Sequence, residues 1–152
     1  MATLTPAFRR DSGKIHSEHV AILAELDTLE RALDHLVPRP QSQLEEEAPS
    51  EVLAIGKKLI RELPEHCRQE EEKLHGPVGE VSPELARFCA SMQREHEVMS
   101  ARLWSLAAAL EEFQTATNLP AAAAHLQEAG RVFIREVRRH IELEENELSG
   151  FL

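Results

Sequence analysis

The sequence contains no tyrosine and one tryptophan, and aromatic residues make up only 4% of it. A strand-rich fold leans on aromatic and β-branched side chains, so the plentiful Leu, Ala and Glu point to helix instead. There are two cysteines, Cys67 and Cys89, with no CxxC spacing. That is too few for a disulfide scaffold, and both read as reduced, partly buried thiols. No apolar run approaches the roughly 18 residues that a membrane span needs, which argues against a membrane partner. Met1–Arg10 lacks the apolar segment of a secretory signal, so the expected location is the cytoplasm. Positive charge is in deficit too. A net charge of −10 repels phosphate backbones and argues against nucleic acid as a partner.

What is present is a chain of 152 residues, 42% hydrophobic and 29% charged, enough for one ordinary domain with a real core. Four stretches show the three-and-four spacing of an amphipathic helix. The first is expected from about Ser12 to Leu36, capped by Asp11 or Ser12, with Ile15, His19, Ile22, Leu26, Leu29, Leu33 and Leu36 on its seam. The proline-bearing acidic segment from Val37 to Pro49 reads as a connecting loop. A second helix is expected from a Ser50 cap to about His75, where Gly76-Pro77 should stop it, with a kink at Pro64. Its seam passes through Leu59, Leu63, His66, Glu70 and Leu74.

Ser82-Pro83 starts a third helix whose seam runs Leu85, Cys89, Met92, His96, Met99, Leu103, Leu106, Leu110 and Phe113. After a short connection at Thr115–Asn118, Pro120 opens a fourth helix with Leu126, Gly130, Phe133, Val137, His140, Glu144 and Leu148 on its seam. Gly130 either permits close helix contact or is merely tolerated. The expected fold is all-α, an antiparallel up-down-up-down four-helix bundle. An N-terminal arm takes residues 1–11, the bundle 12–149 and a C-terminal tail 150–152.

The halves also match each other. Moving 74 residues along the chain takes Arg61 to Arg135, Glu62 to Glu136, His66 to His140, Glu70 to Glu144, Glu71 to Glu145 and Leu74 to Leu148. Moving 77 takes Glu18-His19 to Glu95-His96. The expectation is a two-fold internal pseudo-repeat, each half giving one His from its first helix and a His/Glu pair from its second.

His19, His66, Glu70, His96, His140 and Glu144 all stand where the seam rhythm calls for an apolar residue. Carboxylates moved into an apolar interior lose several kcal/mol of hydration, and no Lys or Arg shares the seams to offset that. A cation accounts for all six groups at once. Counting about 1.5 Å of rise per residue brings His19, His66, Glu70, His140 and Glu144 to one level, but puts His96 deeper, about 20 Å from its helix start. Two ions sharing both glutamates would each have two nitrogens and two oxygens, with room for a solvent-derived oxygen and a small ligand. That donor set suits iron, and also manganese or zinc.

The pattern His19 … His66-x-x-x-Glu70 … His96 … His140-x-x-x-Glu144 resembles the hemerythrin-like (HHE cation-binding) family, over about residues 12 to 149. The resemblance implies two non-haem iron ions bridged by carboxylates and by an oxo or hydroxo group. It implies a protein that binds or responds to O2, NO or peroxide, or to iron itself, more than a dedicated enzyme. The oxygen-carrying members have a second histidine one turn after the third-helix ligand, where this chain has Ser100. They have His-x-x-x-x-Asp on the fourth helix, where this chain has His140-x-x-x-Glu144. These departures favour the relatives linked to iron sensing, NO or peroxide response, or iron–sulfur repair.

Two other readings stand beside this one: a di-iron enzyme reducing NO or peroxide or donating iron for iron–sulfur repair, and a metal-free helical interaction module. The Glu-x-x-His of a ferritin-like site occurs once, at Glu72–His75. His96-Glu97 begins like a zinc-protease motif, but Ser100 stands in place of its second histidine. His16, His35, His75 and His125 lie beside the seams and read as incidental, with His16, one turn from His19, the one placed either to support that ligand or to substitute for it.

Overall fold

The computed structural model describes residues 4–36 and 47–152, and among these every regular element is helical. Long helices run over Pro6–Asp34, Glu47–Glu70, Pro83–Thr115 and Leu119–Glu147. The first packs against the second and fourth, and the third also packs against the second and fourth, which closes a helical bundle. Most of the expected connecting loop, and the first residues of the expected arm, lie outside the described residues.

Helix starts follow local chemistry. Ser82 caps the third helix by accepting from the Leu85 N–H at 3.1 Å, and Asn118 caps the fourth by accepting from Ala121 at 3.2 Å. The first helix begins earlier than expected. Thr5 is its cap, accepting from the Phe8 N–H at 3.1 Å, with Pro6 in the first turn. The second also starts early, at Glu47, and takes Pro49 into its first turn, where a missing N–H leaves no intrahelical bond unmade. It then runs unbroken through Pro64 to Glu70.

Gly76-Pro77 does not stop the second helix. A π-helical turn, Glu71–His75, follows, and then one α-helical turn, Gly76–Gly79. The Gly76 N–H donates to the Glu71 carbonyl, five residues back. A wider turn here makes room for the Pro77 ring, which in an α-helix would press on the carbonyl four residues before it.

The seams are buried as their rhythm requires, and they form two apolar clusters. The larger holds Leu26, Leu33, Leu59, Leu106, Leu110 and Phe133 among others. The smaller, at one end, gathers Phe8, Ile15, Leu74, Val78, Cys89 and Leu148, with Phe151 and Leu152 packed against it. Each fully buried Leu or Phe contributes roughly 1.5–3 kcal/mol. Along every helix the polar seam residues fall between members of these clusters: Ile15 and Ile22 flank His19, and Cys89 and Met99 flank His96.

Gly130 permits close contact. A Cβ there would lie 2.4 Å from Leu33 Cδ1, and one at Gly56 would lie 2.6 Å from Leu110 Cδ1. No helix among the described residues is long and apolar enough to cross a membrane.

Candidate metal centre

The early start of the first helix settles the depth mismatch. His19 and His96 now stand equally far from their helix starts at Pro6 and Pro83, about 20 Å at 1.5 Å per residue. His19, His66, Glu70, His96, His140 and Glu144 are all buried and meet in one layer. Glu70 and Glu144 are fully enclosed, at 0% exposure.

The imidazoles turn Nε2 towards these two carboxylates. His19 Nε2 lies 2.9 Å from Glu70 Oε2 and 3.5 Å from Glu144 Oε2. His66 Nε2 and His96 Nε2 lie 3.2 and 3.1 Å from Glu70 Oε1. His140 Nε2 is 3.3 Å from Glu144 Oε2 and 3.7 Å from Glu70 Oε1. Among the described residues no Lys or Arg reaches either carboxylate.

Their Nδ1 atoms face outward to a second set of carboxylates. His19 Nδ1 meets Glu145 at 2.8 Å and His66 Nδ1 meets Glu18 at 2.6 Å. At longer range, His96 Nδ1 is 3.7 Å from Glu71 and His140 Nδ1 is 3.6 Å from Glu95. Each helix thus offers a glutamate to the histidine of the next, around the whole bundle. Such carboxylates fix the ring tautomer and leave Nε2 free as a donor atom.

His16 is half exposed and its Nδ1 shares Glu145 Oε1 with His19, so it supports the layer from outside. His125 pairs with Glu112 on the surface. The reading of His75 as incidental is overturned. It is buried at 2% exposure, its Nε2 bonds to Glu144 Oε1, and its ring stacks on His96 with centroids 5.6 Å apart. The π turn inserts one extra residue, so Leu74 and His75 both face inward. An α-helical count cannot reveal that. Glu18, Glu71, Glu95 and Glu145 also escaped the seam count, although the repeated Glu-His and Glu-Glu pairs carried them.

Burial opposes charge on His19, His66 and His140, yet the carboxylates prevail. The hydrogen bond and charge of Glu70 raise His19 above its ordinary value despite burial. Against the same opposition, Glu70 and Glu18 lift His66 to about 9, and Glu144 and Glu70 lift His140 to about 10. Burial favours the neutral form of Glu70, but the Glu144 hydrogen bond and the His140, His19 and His66 imidazoles hold it well below the usual carboxylate range. Burial, with Glu70 and Glu144 behind it, pushes the Cys67 thiol far up, and burial with Glu144 pushes Cys89 up to about 11.

Several inner atoms lack a proper partner. His66 Nε2 and Glu144 Oε2 are buried with no hydrogen bond, and His96 Nε2 faces His140 Nε2 at 3.2 Å. Two facing ring nitrogens cannot both carry a proton towards each other. Converging lone pairs, short of donors, fit a cation. His19, His66 and Glu70 form one group with donor atoms close enough for an ion, and Glu70, His140 and Glu144 form another that shares Glu70. Cys67 Sγ joins Glu70 and His96 in a third. The family model for the hemerythrin HHE cation binding domain matches residues 11–152. No curated protein and no solved structure matches the chain.

Proposed function

The chain belongs to the hemerythrin HHE cation-binding family, and from that premise we propose that it holds two iron ions in the buried layer and there binds or responds to O2, NO or peroxide, or to iron itself. Glu70 and Glu144 would be shared between the ions, with His19 and His66 on one side and His96 and His140 on the other. Iron held by these donors supplies open coordination positions and a change of redox state. The observation that carries the reading is the pair of carboxylates at 0% exposure, met by imidazoles and by no Lys or Arg among the described residues.

The protein's own part is to orient and to seal. The Glu18 and Glu145 hydrogen bonds aim the His66 and His19 rings, and the two apolar clusters keep bulk water away. A cavity of about 180 Å³ reaches His96 between Leu63, Pro64, Cys67, Met99, Ser100 and Leu103. Its size and mostly apolar wall suit a diatomic molecule or peroxide.

On the same reading the helices alternate in direction and the halves are related by a two-fold pseudo-repeat. Supporting this, the 77-residue offset takes Thr5-Pro6 to Ser82-Pro83 and Leu33 to Leu110, while the 74-residue offset takes Gly56 to Gly130. Each glycine then receives the leucine of the opposite half.

Purified protein loaded with iron should carry about two ions per chain, since each set of shared N/O donors serves one. His140→Ala and Glu144→Ala should each lose metal and melt at lower temperature, because metal binding energy supports the fold. Unchanged metal content in both variants would contradict the proposal. A metal-free interaction module predicts no iron at all, and stopped-flow mixing of the reduced protein with each small ligand separates stable binding from turnover.

A further inference from the structure

The six-residue centre leaves His75 without a task. A buried imidazole that serves packing alone normally satisfies both ring nitrogens with backbone or hydroxyl groups. His75 does otherwise. Its Nδ1 is buried without a partner, while its Nε2 is aimed at Glu144 Oε1, on the carboxylate already faced by His140 and His19. The ring lies nearly parallel to His96, at an interplanar angle of 24°. The turn that delivers it is the π-helical one, and such turns occur frequently at functional sites. The 74-residue offset gives Ser149 as its counterpart, so the repeat does not call for a histidine here.

We propose that His75 is a further metal ligand, binding through Nε2 on the His96/His140 side of the centre. This rests on the dimetal reading above and makes the two ions inequivalent, one held by three imidazoles and the other by two. It also ranks the ligands. His19 and His66 are braced by hydrogen-bonded carboxylates, and His96 and His140 face theirs at longer range. His75 has none, so it is the least firmly held of the five and the first to yield to an incoming molecule.

Proton NMR of the Co(II)-loaded protein tests this directly, because each coordinated imidazole gives its own strongly shifted, solvent-exchangeable ring N–H signal. The wild type should show five such signals, one for each buried histidine. His75→Ala and His75→Gln should each show four, and imidazole added to the Ala variant should restore the visible Co(II) spectrum of the wild type. Gln nearly conserves volume and keeps a donor for Glu144, so it guards against a variant that fails to fold. Four signals in the wild type, unchanged in either variant, would overturn the role of His75 while leaving the six-residue centre standing. No shifted signals in Co(II)-treated wild type would overturn both.

Discussion

At the scale of the residue, the imidazoles of His19, His66, His96 and His140 are each asked to do opposite things with their two nitrogens. Nδ1 meets an outer carboxylate and Nε2 an inner one, as His66 does with Glu18 and Glu70. Without metal this arrangement draws protons, which is why His66 and His140 rise to about 9 and about 10. A cation entering at pH 7 must displace those protons. Metal binding should therefore release protons, and affinity should climb with pH until those values are passed. Calorimetry in buffers of different ionisation enthalpy reads the release, and a buffer-independent heat would contradict it. The stability of the metal-free protein should move the other way. A pKa raised in the folded state contributes fully below the unfolded value of 6.5 and is lost as pH rises through about 9 to 10. The metal-free melting temperature should fall over that window, and that of the loaded protein should hold nearer its neutral value.

At the scale of the element, the glycines separate two opposing effects. Gly13 sits on an exposed helix face with open space where a Cβ would go. Gly13→Ala should therefore stabilise by about 0.5–1 kcal/mol through helix propensity. Gly130→Ala makes the same backbone gain but drives its methyl into Leu33, which is completely buried. Overpacking of roughly 1–3 kcal/mol outweighs a propensity gain of about 1 kcal/mol, so Gly130→Ala should destabilise. Urea unfolding of both variants checks the sign, and two stabilising outcomes would contradict the close contact.

The same scale shows what the residue pattern could and could not reveal. His19, His66, Glu70, His96, His140 and Glu144 were legible because burial follows the α-helical period, and a charge on that period stands out. Thr5-Pro6 carries the same cap-and-proline signal as Ser82-Pro83, yet its helix was hidden by the polar run Arg9-Arg10-Asp11 that follows. His75 was illegible for a different reason. A π turn shifts the inward face by one residue, and Gly76-Pro77 reads locally as a stop whether or not the chain widens to pass it.

At the scale of the molecule, a helical bundle encloses a layer of charge between two apolar clusters, within a chain of net charge −10. Adding two acidic groups to the interior of an already negative protein makes sense only if positive charge arrives with them. His19, His66 and His140 supply some of it as protons, and the proposed ions supply it permanently. Anomalous diffraction at the iron edge, from crystals grown with iron available, tests this most directly. The account predicts two peaks inside the bundle, each bounded by oxygens of Glu70 and Glu144 and by histidine Nε2 atoms. An empty layer, or peaks confined to surface carboxylates, would contradict it.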